Sequence, residues 1–287
     1  MASDPCIMLV DNGSTRAATT LNLRRLTAKL STATGFKVHP VSLLHSDRIG
    51  RERLEGIPAQ ILEPFLVEQR GKNVSSFLLL PLFFGHSAAI FEYIPQRLRE
   101  LRKGWPELEM RIAPCLVNPD DPGDTDVAEI IARIVRCKIT VEELQSPAIT
   151  LVDHGTPRIA VNEVRNLVCT QLKNELGGKF GPVKASSMER REGSEYNFNE
   201  PLLENLLGSP GFDGDVVVAL LFNAPGRHAG KDGDITQICA RAESSNEGLR
   251  TFISDPFTSD DGVLKLLAKR LRQGLSGKPV TDDIIRD

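Results

Sequence analysis

Two stretches of the chain match each other and restrict what it can fold into. Each is an apolar run that ends in a polar loop with a glycine and leads into a helical pattern: residues 7–16 (IMLVDNGSTR) and residues 149–158 (ITLVDHGTPR). This order is typical of a buried parallel strand with polar side chains at its carboxyl end, where open α/β sheets place their sites. The copies differ at one informative position, because Asn12 stands where the second copy has His154.

The pattern beyond these stretches repeats as well. Apolar runs alternate with helical periodicity through both halves, and the strongest runs are residues 77–84 and 215–222. Continuous apolar strands are typical of a parallel sheet that helices cover on both faces. His86 also matches His228, at the same offset along the chain as the two glycine-containing loops. A period of this length indicates a repeated domain rather than a solenoid.

We therefore predict an α/β protein of two similar lobes, each with a parallel sheet flanked by helices, that face each other across a cleft. The first lobe is expected to span residues 1–140 and the second residues 147–276, with the linker inside residues 138–147. The stretch 277–287 is predicted to be a mobile tail.

The composition limits the class of protein. A formal net charge of -3 gives no reason to propose nucleic acid or an anionic membrane as a partner. No apolar run approaches the ~20 residues that a membrane-spanning helix needs. The first residues lack the basic and apolar regions of a signal peptide. The cysteines are scattered, number 5 and form no CxxC pair, so we expect free thiols and a cytoplasmic protein.

Three residues with metal-ligating side chains follow the ends of predicted strands in the second lobe. They are His154, Glu189 and His228. The carboxyl ends of neighbouring parallel strands lie ~5 Å apart, so the three groups can converge. Two neutral imidazoles and a carboxylate suit a first-row divalent metal and leave coordination positions open.

The first lobe offers a weaker set of groups. It has Asn12, then Leu44 or His45, and then His86 at the matching places. An amide is a poor ligand for a transition metal and leucine is none, so the chemistry is predicted for the second lobe.

Each of these residues also has a simpler interpretation. A histidine in a strand-to-helix loop often caps a helix or packs in the loop, and Glu189 belongs to a charged run that is typical of solvated loops. Glu192 and Glu195 are rivals for the role of the carboxylate. Only the three positions together favour a metal or anion site.

Basic residues gather in the same loops. They are Arg158, Arg190, Arg191, Arg227 and Lys231. Guanidinium groups suit carboxylates or phosphates, so a ligand with several carboxylates is one candidate. Charge balance against nearby acidic side chains is an equally good explanation.

At these residues the chain resembles the sirohydrochlorin chelatase family, the class II chelatases that insert cobalt or iron into sirohydrochlorin. The motifs are HGTPR at residues 154–158 and PGRHAG at residues 225–230. The first half has altered versions of them, NGSTR at residues 12–16 and FGHS at residues 84–87. The resemblance covers nearly the whole chain as two tandem lobes, although Asn12 departs from the family pattern and the loop of residues 187–199 is unusually long and charged.

The resemblance implies a catalytic and metal-binding set of His154, His228 and, as the nearby carboxylate, Glu189. It implies that the arginines at 158, 190 and 227 bind the peripheral carboxylates of the tetrapyrrole. The metal, Co²⁺ or Fe²⁺, is a substrate, and no organic cofactor is implied. The expected partner is sirohydrochlorin or a related tetrapyrrole in siroheme or cobalamin-type biosynthesis.

Two other functions fit the same sequence. One is a non-catalytic protein that binds a tetrapyrrole or a metal with a degenerate chelatase fold. The other is a two-lobed solute-binding protein, which the absence of a recognisable signal peptide disfavours. The ligand set suits cobalt, iron and nickel alike, and the sequence leaves the oligomeric state open.

Overall fold

The structure, a computed structural model, describes residues 4–85, 87–119, 121, 123–224, 226, 228–230 and 232–281. The chain forms two compact units, the first made of residues 1–118 and 264–287 and the second of residues 119–263. None of the helices in the described ranges has the length and apolar character that a membrane span requires.

The first unit is built on a sheet of four parallel strands in the order β2-β1-β3-β4. The strands are β1 (Cys6–Asp11), β2 (Val38–Ser42), β3 (Ser76–Pro81) and β4 (Glu109–Ile112). Side chains of the central strands are buried on both faces: Met8 and Leu9 follow each other on β1, point to opposite faces and are each 0% exposed. Helices cover both faces of such a sheet, which explains the continuous apolar runs in the sequence.

Three helices follow the first three strands of this unit. They are α1 (Ala17–Thr34), α2 (Leu62–Arg70) and α3 (Ile94–Arg102). A π-helical turn at Ala89–Tyr93 leads directly into α3. Helix α1 ends at Gly35, whose φ of 75° lets its N–H reach the carbonyl of Ser31.

The second unit has the same strand order, β6-β5-β7-β8, again fully parallel. Its strands are β5 (Ala148–Asp153), β6 (Val183–Ser187), β7 (Asp215–Leu220) and β8 (Arg250–Ile253). Its helices are α4 (Asp126–Val141), α5 (Ile159–Leu176), α6 (Leu203–Leu206) and α7 (Asp234–Ser245). The predicted fold class, two parallel sheets flanked by helices, is therefore confirmed.

The compact units do not follow the domain boundaries that the sequence suggested. Helix α4, which ends the first repeat, packs against α5 and β7 in the second unit. Helix α8 (Gly262–Ser276), which ends the second repeat, belongs from Leu264 onward to the first unit. Arg270 of α8 donates to the carbonyl of Leu116 there. Each repeat thus supplies the last helix of the other unit, an exchange that hydrophobic periodicity cannot reveal.

The expected tail is also shorter than predicted. The N–H of Val280 donates to the carbonyl of Met110 (2.7 Å), and the carbonyl of Val280 accepts from Arg102 (2.7 Å). Residues up to Val280 therefore pack on the first unit, while residues 282–287 of the predicted tail lie outside the described part of the chain.

Candidate functional site

The candidate site begins where β5 ends and the chain enters the loop before α5. His154 follows Asp153, the last residue of β5, and is exposed. Gly155 has a φ of +91°, and a Cβ atom there would lie 1.8 Å from the carbonyl oxygen of Glu189. Only glycine permits this approach. The N–H of Glu189 donates to the carbonyl of His154 (3.2 Å), so the loops after β5 and β6 run side by side.

The structure brings together the three residues that the sequence singled out. The rings of His154 and His228 have their centroids 4.6 Å apart and their planes at 80°. Nε2 of His154 lies 3.5 Å from Oε1 of Glu189. Strand β7 pairs directly with β5, so the loop that carries His228 reaches the same sheet edge as His154.

His228 has a partner that the sequence analysis did not assign. Its Nδ1 lies 2.5 Å from Oδ2 of Asp234, in the first turn of α7. The N–H of Ile235 also donates to the carbonyl of His228 (3.2 Å), which ties this loop to the start of the helix. A carboxylate that accepts from Nδ1–H fixes the tautomer and leaves the Nε2 lone pair for a metal. In the sequence, Asp234 follows shortly after the PGRHAG motif, and this acidic residue was the available signal for the contact.

These side chains do not form a closed metal cage as they stand. Among the described residues, no group of three His, Cys, Asp or Glu side chains is arranged to hold a metal ion. The side chains of His154 and Glu189 are 46% and 61% exposed. Either can therefore rotate without disturbing the core.

The three glutamates considered for the role of the carboxylate have different surroundings in the structure. Glu189 contacts His154, whereas the carboxylate of Glu195 lies against Gly193 and Glu192 is exposed. The geometry thus favours Glu189 among the three candidates that the sequence left open.

A buried ionic network lies directly beneath the loop of His154. Asp153 accepts from the Ser187 hydroxyl (2.6 Å) and from the N–H of Gly155 (3.1 Å). The guanidinium of Arg165, 2% exposed, donates to Ser187 and lies 3.8 Å from Asp153. Burial raises the pKa of Asp153 above its ordinary value, and the hydrogen bond from Ser187 and the charge of Arg165 oppose that shift.

The arginines predicted to bind the substrate differ in their exposure and in their hydrogen-bond partners. Arg158 is exposed at the start of α5. Arg190 donates from Nε to Glu200 (2.8 Å) and from Nη1 to the carbonyls of Arg191 and Gly193. Its guanidinium thus already binds within its own loop, and the pair with Arg190 lowers the pKa of Glu200. Arg227 lies outside the described residues.

The matching edge of the first sheet repeats the backbone with different side chains at two of the positions. Gly13 has a φ of +85°, and a Cβ atom there would lie 1.8 Å from the carbonyl oxygen of Leu44. Leu44 therefore takes the place of Glu189, and Asn12 the place of His154. His86 lies outside the described residues.

Comparison with known proteins agrees with the motifs. Residues 148–274 match the model of the CbiX family. SirB from Bacillus subtilis with Fe³⁺ has a similar structure at a TM-score of 0.64 and 12% identity, and 96% of each chain is covered. SirB from the subspecies spizizenii in complex with cobalt gives 0.62 and 12% over 96% of each chain. CbiX, the terminal enzyme of siroheme biosynthesis in denitrifying bacteria, gives 0.54 and 15% over 94% of this chain and 98% of the other.

No curated protein has a sequence that matches this chain. At such low identities the structural matches establish the fold, while the family model covers the segment that holds His154, Glu189 and His228. These findings confirm the resemblance that the motifs indicated. Residues 148–274 thus match the CbiX family model, and the chain as a whole has a fold similar to that of the sirohydrochlorin chelatases SirB and CbiX.

Proposed function

We propose that the chain inserts a divalent metal, Co²⁺ or Fe²⁺, into sirohydrochlorin or a closely related tetrapyrrole, in siroheme or cobalamin-type biosynthesis. The observation that carries the proposal is the pair of adjacent imidazoles, His154 and His228, at the carboxyl edge of a sheet in the CbiX-matching segment. Proteins of the same fold have been seen with Fe³⁺ and with cobalt.

In this proposal the two imidazoles hold the metal and leave positions open for the substrate. His228 binds through Nε2, because its Nδ1 faces Asp234. His154 binds from the neighbouring loop, where its exposed ring can turn toward the metal. Pyrrole nitrogens then replace water on the metal one after another.

Glu189 is proposed as the base. A free-base tetrapyrrole carries two inner N–H groups, and both N–H bonds must break as the metal–nitrogen bonds form. The carboxylate of Glu189, 61% exposed and 3.5 Å from His154, can accept a proton and release it to solvent. Positioning of ring and metal against each other supplies the rest of the acceleration.

Arginines are proposed to bind the peripheral carboxylates of the ring. Arg158 is exposed beside the His154 loop and can present its guanidinium to a carboxylate. Arg227, next to His228 in sequence, is proposed for the same role. Arg190 can contribute only if a ring carboxylate competes with Glu200 for its guanidinium.

A second function, a non-catalytic carrier of metal or tetrapyrrole, has one observation in its favour. The described residues contain no preformed site with three ligands, as a protein that only needs to bind weakly would show. Turnover separates the two proposals.

The experiment mixes the chain with a large excess of sirohydrochlorin and Co²⁺ and follows the absorption spectrum of the tetrapyrrole. We expect many turnovers per chain and a rate well above that of metal and tetrapyrrole alone. A spectral change that stops at one equivalent supports the carrier. A rate equal to the uncatalysed reaction would remove the chelatase proposal.

A further inference from the structure

Among the described residues of the second unit, Arg165 is the most deeply buried charged residue, and it has no part in the chemistry described so far. It lies within α5 and is 2% exposed. Its Nη1 donates to Ser187 Oγ and to the carbonyl of Asn199 (3.0 Å), and its Nε and Nη2 donate to Oδ1 of Asn166 (3.1 and 2.9 Å). A buried charge is costly unless it is paired and hydrogen-bonded. The presence of a guanidinium at this buried position therefore needs an explanation.

The partners of Arg165 are the residues that hold the two candidate loops. Ser187 donates to Asp153, and Asp153 accepts from the N–H of Gly155 on the far side of His154. Glu189 follows two residues after Ser187. One guanidinium therefore connects the end of β5 with the end of β6, the points from which His154 and Glu189 project.

Asn199 adds a second connection to the same loop. Its Oδ1 accepts from the N–H of Thr156 (3.0 Å), and its Nδ2 donates to the carbonyl of Thr156 (2.9 Å). Its own carbonyl accepts from Arg165. The short 3₁₀ helix Ser194–Asn199 is thus fastened to the His154 loop through a fully buried amide.

The fold itself does not need this arginine. Helices α1 and α5 have 18 residues each and follow equivalent strands, and Leu23 of α1 stands where α5 has Arg165. Leu23 is also 2% exposed, and the first unit keeps the same strand order with leucine there. The charged residue occurs in the unit that has His154 and Glu189, and leucine replaces it in the unit that has Asn12 and Leu44 at the matching positions.

We propose that Arg165 is a positioning residue, which holds the loops of His154 and Glu189 at the separation that the metal requires. The inference rests on the proposed function. A planar guanidinium is suited to this role because it binds Ser187, Asn199 and Asn166 at the same time in fixed directions, whereas an ammonium group cannot reproduce that fork.

The test compares Arg165→Leu, which copies the first unit, and Arg165→Lys, which keeps a cation in place. Leu23→Ala is the matched control, since it loosens an equivalent buried position away from the candidate site. Each variant is characterised by near-UV circular dichroism, by the visible spectrum of bound Co²⁺, by Co²⁺ affinity and by insertion kinetics. The Co²⁺ spectrum reports ligand geometry and is insensitive to stability alone.

We expect folded Arg165→Lys to change the spectrum of bound Co²⁺, to weaken Co²⁺ affinity by about tenfold or more and to lower kcat, with the KM for the tetrapyrrole unchanged. Arg165→Leu should show larger effects of the same kind. Leu23→Ala should lower Tm and leave the Co²⁺ spectrum and kcat as in the wild type.

Wild-type Co²⁺ spectra and kcat in both folded Arg165 variants would overturn the inference and leave the proposed function intact. Failure of both variants to fold would also overturn it, because the charge would then be structural. If the wild-type chain binds Co²⁺ but shows no turnover, the proposed function fails and the spectra still decide the role of Arg165. If the wild-type chain binds no Co²⁺, both the proposed function and the inference about Arg165 are wrong.

Discussion

Leu44 donates its main-chain N–H to the carbonyl of Asn12 at 3.3 Å, just as Glu189 donates to His154 at 3.2 Å. The two pairs occupy the same position in two sheets of the same order. The backbone of this part of the site is thus present twice, with Glu189 and His154 at these positions in the second unit and Leu44 and Asn12 in the first. This difference supports the proposal that the chemistry occurs at His154 and Glu189.

Removal of either imidazole should abolish most metal insertion. His154→Ala and His228→Ala each delete one of two proposed ligands, and both side chains lie in loops outside the hydrophobic core, so the variants should fold. Co²⁺ insertion rates with circular dichroism check both points. His45→Asn is the control, because His45 is exposed in the other unit and asparagine accepts its φ of 69°. Near-wild-type turnover in His154→Ala would contradict the assignment.

Glu189→Gln should lower kcat more than it lowers Co²⁺ affinity. The amide keeps the shape of the side chain but cannot accept the pyrrole proton, so the loss falls on the chemical step. Steady-state kinetics and Co²⁺ titration separate the two effects. Glu192→Gln serves as the comparison. If Glu192→Gln has the larger effect on kcat, the assignment of Glu189 as the base is wrong.

Asp234→Asn should weaken Co²⁺ binding by roughly 10- to 100-fold, the usual effect of losing the carboxylate behind a metal-bound histidine. The reason is the contact between Oδ2 of Asp234 and Nδ1 of His228. Asp232→Asn is a matched control in the same loop, since Asp232 is exposed. Equal Co²⁺ affinities in the two variants, measured by titration, would show that Asp234 only caps its helix.

Asp11→Asn should stabilise the protein at neutral pH. Burial raises the pKa of Asp11 to about 6, although hydrogen bonds from Ser42 and from the N–H of Gly13 oppose the shift. The folded state therefore binds this proton more tightly than the unfolded state, and the stability gained by protonation is complete below the unfolded pKa of about 3.8 and is lost as pH rises through 6. Above pH 6 the buried carboxylate costs roughly 3 kcal/mol, which asparagine avoids.

Thermal unfolding of Asp11→Asn and wild type at several pH values tests this prediction. The difference in Tm should be large and positive at pH 7.5 and should shrink as the pH approaches 4. A variant that is less stable than the wild type at pH 7.5 would show that the hydrogen bonds of the carboxylate outweigh its burial.

The sequence alone determined the fold class and the meeting of the two histidines. Apolar runs that alternate with helical periodicity require parallel strands connected by covering helices, and this pattern occurs twice. Residues that follow the ends of parallel strands reach the same sheet edge, so His154 and His228 are brought together although they are distant along the chain. Local patterns suffice here because a continuous apolar run indicates a buried strand, and a helical connection indicates that the next strand is parallel to it.

Only the tertiary structure decided which side chains contact those residues and to which unit helices α4 and α8 belong. Asp234 reaches His228 because α7 begins beside that loop, and Arg165 reaches Ser187 and Asn199 because α5 packs across the sheet. Helix α4 packs against α5 and β7, and α8 bonds to the first unit through Arg270 and the carbonyl of Leu116. An apolar stripe in the sequence shows that a helix packs, but its partner depends on the path of the whole chain.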